Sequence, residues 1–193
     1  MRQVCVFCGS QEGIRPEYAQ AARELGRVLV GRGLGLVYGG GGIGLMRVLA
    51  DAVMDLGGRA IGVIPQAMVE KELAHHGLTE LRVVASMHQR KALMADLADA
   101  FVALPGGYGT LEEFCEVLTW SQLGLHGKPC GLLNVLGYYD ALLELLEHAA
   151  AEGFVGPACR TLVQVHHEPG RLLDLMAAYC PPHLEKWIDR EET

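Results

Sequence analysis

Short apolar runs that end near glycine, each followed by a segment with helical spacing, recur along this chain, and that alternation restricts its fold more than any other feature. Val4-Cys5-Val6-Phe7-Cys8 ends at Gly9-Ser10, and Pro16 to Arg32 then carries apolar residues at helical spacing through Tyr18, Ala21, Ala22, Leu25, Val28 and Leu29. Gly33 closes that helix as its C′ residue, and Leu34 to Tyr38 forms a second strand that stops at Gly39-Gly40-Gly41-Gly42. Leu45 to Leu56 reads as the next helix, ended by Gly57-Gly58, and Ala60 to Ile64 as a third strand broken by Pro65. The polar segment Gln66 to Thr79 reads as a short helix and a loop. Further strands near Leu81 to Val84, Ala100 to Leu104, about Pro129 to Leu133 and Leu162 to Val165 alternate with helices. Those helices cover Met87 to Leu97, Leu111 to Leu123, about Tyr138 to Glu152 and about Arg171 to Tyr179. Glu185 to Thr193 is a charged tail, read as a frayed or surface helix end.

Strands of four to six mostly apolar residues, each followed by a helix, predict a parallel sheet covered on both faces. The expected class is α/β, a doubly wound, Rossmann-like, mostly parallel sheet with helices on both sides. At 193 residues, against ~100–200 per domain, the chain is expected to be one nucleotide-binding α/β domain over 1–193. A formal charge of −7 provides no basic field for a phosphate backbone, so nucleic acid is excluded as a partner. No apolar stretch reaches the ~18–20 residues that span a bilayer, and Met1-Arg2-Gln3 leads straight into a strand without a signal-peptide core. The expectation is a soluble cytoplasmic protein with no membrane partner. Its six dispersed cysteines are expected to be reduced.

In open α/β sheets, ligands bind beyond the carboxyl ends of the strands, where glycine loops and helix N-termini offer free N–H groups. Three loops qualify: Gly9-Ser10, Gly39 to Gly44, and Pro105 to Thr110. The second holds a formal G-x-G-x-x-G at Gly39, Gly41 and Gly44, but about 20 residues on, where a dinucleotide site needs a carboxylate, the chain reads Ile61-Gly62-Val63-Ile64-Pro65. It also lacks the Lys and Ser/Thr of a triphosphate loop. What remains is a backbone nest for a single phosphate, set against glycines that serve a turn and close packing.

In the third loop, Thr110-Leu111-Glu112-Glu113 fits a capping box, which would account for Glu113 as a partner of the Thr110 N–H. That leaves Glu112 unexplained. Two adjacent carboxylates at a glycine-rich helix start also suit a site where one handles water or sugar hydroxyls while amides hold an anion. In Ser86-Met87-His88-Gln89-Arg90-Lys91, Ser86 and Gln89 have capping-box spacing, and two cations occupy the first turns, where the helix dipole disfavours them. A ligand phosphate, or Glu112 and Glu113, would compensate them. Alternatively they are solvated surface cations.

Other features carry less. Cys5 and Cys8 are spaced C-x-x-C but within a strand, pointing to opposite faces, and read as core residues. His75-His76 and His166-His167 have no metal-ligand spacing, so no metal is expected. No G-x-S-x-G elbow marks a hydrolase of that fold.

The segments Ser86 to Lys91 and Pro105-Gly106-Gly107-Tyr108-Gly109-Thr110-Leu111-Glu112-Glu113 together resemble the signature of the Lonely Guy family, cytokinin riboside 5′-monophosphate phosphoribohydrolases often mislabelled lysine decarboxylases. The resemblance extends through Val6 to Ser10, Tyr38 to Met46, Ile61 to Pro65 and Lys128 to Glu152, nearly the whole chain. It implies hydrolysis of the N-glycosidic bond of AMP or an N6-modified AMP to free base and ribose 5-phosphate, by a homodimer without a redox cofactor. By position it implies Arg90 and Glu113 as the catalytic pair. It implies substrate contacts at Glu72, Arg90-Lys91, Gly107 to Glu113 and Thr119, with Glu72 resting on spacing through a variable segment. With the glycine loops added, the expected binding set is Gly9, Ser10, Gly40, Gly41, Gly42, Glu72, Lys91, Gly106, Gly107, Tyr108, Gly109, Thr110, Glu112 and Thr119. No Schiff-base lysine with a ring-nitrogen partner is evident, so pyridoxal chemistry is not expected. The rival class is a non-catalytic purine-nucleotide sensor, which would need the glycines but not two glutamates and an Arg–Lys pair together.

Overall fold

The computed structural model describes residues 1–71 and 73–183. Seven strands, β1 (Gln3–Phe7), β2 (Gly35–Tyr38), β3 (Ala60–Pro65), β4 (Glu80–Val84), β5 (Ala100–Ala103), β6 (Cys130–Leu133) and β7 (Val163–His166), form one sheet in the order β4-β3-β2-β1-β5-β6-β7. Each neighbouring pair is parallel. The antiparallel element among the described residues is a single bridge, Gly41 to Ala74. The helices are α1 (Pro16–Gly31), α2 (Gly44–Asp55), α3 (Gln66–Val69), α4 (Met87–Leu97), α5 (Tyr108–Gln122), α6 (Asp140–Ala151) and α7 (Pro169–Ala178).

Alternate residues of a strand point to opposite faces, and here both faces are covered. Val4 and Val6 of β1 pack with Leu25 of α1, Leu49 of α2 and Leu172 of α7. Cys5 and Phe7 pack on the other side with Met94 of α4 and Phe114 and Val117 of α5. Each such large side chain contributes about 1.5–3 kcal/mol by leaving water, and that double burial is why the strands read as unbroken apolar runs. Cys8 joins the α1 and α2 face, so Cys5 and Cys8 are split between the two cores, as their spacing predicts.

Glycine ends the first two helices as expected. After α1, Gly33 takes φ +67 and donates to Val30 O, while Leu34 N–H reaches Leu29 O, the paired bonds of a Schellman cap. Gly57 and Gly58 repeat this after α2, bonding to Met54 O and Val53 O.

Three expectations need correction. Pro65 does not break β3 but ends it as a buried residue, its parallel partner being Val84. Gly107 is the N-cap of α5, which begins at Tyr108 rather than Leu111. Thr110 therefore lies inside the first turn, and the predicted capping box does not form. α6 begins at Asp140, because Leu136 (φ 55) interrupts the helical turn Val135–Gly137 before it.

The chain runs from β1 outward through β2, β3 and β4, then crosses back to place β5 on the opposite side of β1. The carboxyl ends of β1 and β5 thus form the switch point where open sheets bind ligands. The two loops there are joined directly, Gly9 N–H donating to Pro105 O at 3.1 Å.

Candidate active site

Ser86 caps α4 by accepting from Gln89 N–H at 3.2 Å, and Gln89 Oε1 accepts from Ala85 N–H at 3.0 Å. The box fixes the first turn of α4, and the next residue, Arg90, falls on the buried face that it shares with Met94. Arg90 is only 8% exposed, so the reading of two solvated surface cations fails for it. Its Nε donates to Val63 O at 3.2 Å, at the carboxyl end of β3. Nη1 stands 3.0 Å from Glu113 Oε1. Nη2 lies over the Cα of Gly39, where any Cβ would overlap it. Gly39 is therefore the gap that lets the guanidinium cross from α4 over the end of β2.

Glu113 lies on the face of α5 formed by Thr110, Glu113, Phe114, Val117 and Ser121, and it is also 8% exposed. A residue that far inside the helix cannot serve its N-terminus, so Glu113 is no capping partner. It is a buried carboxylate held by a buried guanidinium. Burial pushes its pKa above the ordinary carboxylate range, Arg90 opposes that, and Glu112 adds to the rise. Glu112, one residue earlier, points to the more open side and accepts from Lys91 Nζ at 2.5 Å. Lys91 also donates to Glu116 Oε1 at 2.9 Å. The helix-start cations are thus compensated by α5 carboxylates, one of the two routes open from the sequence.

Of the glycine loops, the one leading into α5 is open. A Cβ at Gly107 or Gly109 would meet nothing within 4 Å, so packing gives no reason for glycine there. The N–H groups of Tyr108, Gly109 and Thr110 occupy the first turn, where a helix has no partners of its own. Gly106 is close-packed, since a Cβ would strike Thr110 Oγ1, and its carbonyl accepts from Tyr138 Oη at 2.5 Å. Glycines 39 to 44 differ. Gly40 (φ +70) and Gly44 (φ +58) need the left-handed region, and a Cβ on Gly44 would collide with the Ser10 backbone. Gly41 lies against Met46, and Gly42 against Ala74. The Gly42 N–H is already bonded to Leu73 O at 2.8 Å, as Gly9 N–H is to Pro105 O. Packing thus accounts for much of the glycine run that suggested a phosphate nest. Exposed Ser10 borders a hollow of about 670 Å³ shared with Ile14, Ile43 and Gly44.

The remaining expected residues are not drawn in. Thr119 is exposed, and its hydroxyl donates to Cys115 O at 2.8 Å, on a different face of α5 from Glu113. Glu72 and the charged tail Glu185 to Thr193 lie outside the described residues. His75 is not a bare loop histidine: it accepts from Gly77 N–H through Nδ1 and meets Asp51 through Nε2 at 2.8 Å. Sequence reasoning missed Glu116, Gly39 as an arginine gap, Val63 and Tyr138. Glu116 had a readable signal, four residues beyond Glu112 and on its helical face.

Fold and site together define a class: an open-sheet α/β protein whose switch point combines an uncovered helix N-terminus with a buried Arg–Glu pair. A family described as "Possible lysine decarboxylase" matches residues 46–176. A cytokinin riboside 5′-monophosphate phosphoribohydrolase of Rhodococcoides fascians is 58% identical over 165 residues, 85% of this chain and 83% of that protein. One from Arabidopsis thaliana is 50% identical over 182 residues, 94% of this chain and 85% of that protein. The chain belongs to the cytokinin riboside 5′-monophosphate phosphoribohydrolase family. A molybdenum cofactor carrier protein of Chlamydomonas reinhardtii shares the fold, with a TM-score of 0.70 at 22% identity over 92% of this chain and 99% of that one. At that identity the likeness extends to the fold alone.

Among the described residues, none fits the pyridoxal cofactor that a decarboxylase name implies. A Schiff-base lysine must reach its neutral form easily. Burial pulls the Lys91 pKa down, but the hydrogen bonds to Glu112 and Glu116 outweigh it and raise the pKa overall. Lys128 Nζ donates to Ala95 O, and Lys71 lies on the surface.

Proposed function

We propose that this chain hydrolyses the N-glycosidic bond of adenosine 5′-monophosphate, plain or N6-modified, to the free base and ribose 5-phosphate. The observation that carries this reading is the Arg90–Glu113 pair, buried beside an open helix start. Glycosidic cleavage passes through an oxocarbenium-like ribose, which calls for a carboxylate at the anomeric carbon. Glu113 supplies it: ionised, it stabilises the cation and orients the attacking water. Arg90 holds Glu113 through Oε1, leaving Oε2 for the substrate. The first-turn N–H groups of Tyr108, Gly109 and Thr110 receive the 5′-phosphate, favoured by the helix dipole. Gly107 and Gly109 let that phosphate approach the backbone. Glu112, tethered by Lys91, accepts from ribose hydroxyls, and Ser10, next to the Gly9 that packs on Gly106, borders the approach.

The chain works as a single domain and as a homodimer. A second copy is supported by α6, in which no residue is buried and whose Leu145 is exposed. No described helix is long and apolar enough to cross a membrane. The six free thiols support a reducing, cytoplasmic setting.

The test is direct. AMP and isopentenylated AMP are incubated with the protein, and free base and ribose 5-phosphate are measured. Release of both products from at least one nucleotide is expected. Nucleotide that binds but stays intact in both cases overturns the reading in favour of a sensor.

A further inference from the structure

Beyond the pair that does the chemistry, α5 carries a third carboxylate at the site, Glu116, which no expected role had absorbed. It stands one turn past both Glu112 and Glu113, and its side chain is 25% exposed against 54% for Glu112. Lys91 links them, its own side chain only 13% exposed, donating to Glu112 and to Glu116. An exposed ion pair holds its geometry poorly, because two long side chains lose entropy for a screened attraction. The shielded Lys91–Glu116 pair is the firmer half of this triad. Lys91 is thus anchored on Glu116 and then presented to Glu112.

We propose that Glu116 is a positioning residue of this site, pinning the Lys91 ammonium so that it fixes Glu112, and adding a negative charge one helical turn from Glu113. This rests on the phosphoribohydrolase reading. The charged groups acting on Glu113 are Arg90 and Lys91 from α4 and Glu112 and Glu116 from α5, with the buried thiols of Cys5 in β1 and Cys8 just beyond it close enough to feel it. Three carboxylates face two cations there. Removing the Glu116 charge leaves the balance neutral and makes Glu113 easier to ionise.

Glu116→Gln keeps an acceptor for Lys91 but removes the charge. The acid limb of the kcat/KM profile should then move down by roughly half a pH unit, the scale of a partly screened charge one turn away. Activity below the limb should rise about three-fold accordingly. Glu116→Asp keeps the charge on a shorter arm. It should leave the limb near its wild-type position and raise KM as Glu112 loosens. A carboxyl ¹³C titration of Glu113 in wild type and Glu116→Gln reads the same shift without turnover. If wild type hydrolyses neither nucleotide, the functional reading falls while the titration still decides the role of Glu116. A limb and a Glu113 titration both unmoved in Glu116→Gln overturn the proposal, even if the melting temperature drops.

Discussion

Replacing Gly39 by alanine isolates the placement of Arg90 from everything else in the fold. Gly39 does not use the left-handed region, so its backbone accepts alanine without strain. The three atoms nearest a new Cβ all belong to Arg90: it would overlap Nη2, stand 3.0 Å from Cζ and 3.4 Å from Nε. The guanidinium must retreat by about 1.5 Å to regain an ordinary contact of about 3.5 Å. Its bonds to Val63 O at 3.2 Å and Glu113 Oε1 at 3.0 Å cannot both survive that. Charge-assisted bonds contribute about 1.5–3 kcal/mol each, and a buried carboxylate left short of its partner costs on the same scale, so a loss of about 2–3 kcal/mol in stability is expected. A misplacement of this size also costs on the order of 10²-fold in rate. The assay is kcat on the nucleotide that wild type cleaves, beside thermal unfolding and circular dichroism to confirm a folded chain. Folded protein with kcat within a few-fold of wild type would refute the account of Gly39 as the arginine gap.

Glu113→Gln keeps the shape and hydrogen-bonding reach of the side chain but removes its charge, so kcat should fall at least ~10²-fold while the protein stays folded; turnover within a few-fold of wild type would move the chemistry to Glu112. The raised pKa of Glu113 also predicts that the acid limb of the wild-type pH–rate profile has its midpoint above the ordinary 4.5, and a limb at or below that value would contradict the burial argument. The linked stability has the opposite sign: stability present below about 4.5 is lost as pH rises toward the folded-state pKa of Glu113, because the native state holds the proton longer than the unfolded chain. Tyr138→Phe removes the bond to Gly106 O, about 1 kcal/mol, and should raise KM several-fold with little change in kcat, since it loosens the loop ahead of α5; an unchanged KM would deny that tether.

The sheet was legible because double burial writes a strand as an apolar run and glycine marks where it must stop. Gln3–Phe7, Gly35–Tyr38 and Ala100–Ala103 all fall within one residue of their expected bounds. The start of α5 was not legible, because Gly107-Tyr108-Gly109 reads as loop. A helix N-terminus tolerates glycine there, since the first-turn N–H groups have no partners to lose. Those three residues carry a chemical consequence. With a start at Leu111, Thr110 and Glu113 fit a cap as well as a site, whereas α5 carries Glu113 inward to Arg90.

The fate of Arg90 shows why one chain's local pattern understates a site. Along α4 it is a cation next to a cation, and nothing in Ser86 to Lys91 separates the two. The sheet does. Arg90 falls on the same face as Met94, above the ends of β2 and β3, whereas Lys91 is turned by a third of the helix circle toward Glu112 and Glu116. The slot for Arg90 then comes from positions remote in sequence: an absent side chain at Gly39 and a free carbonyl at Val63. Neither has a chemical signature of its own, since a glycine after a strand and a valine within one are what any such sheet contains. The glycine run looked like a phosphate nest for the same reason, because a residue that makes room for a guanidinium and one that makes room for a phosphate are the same letter. What separates them is the occupant: Arg90 already fills the space at Gly39, whereas Gly107 and Gly109 face open space at a helix start, and there an anion would find both room and unpaired N–H groups.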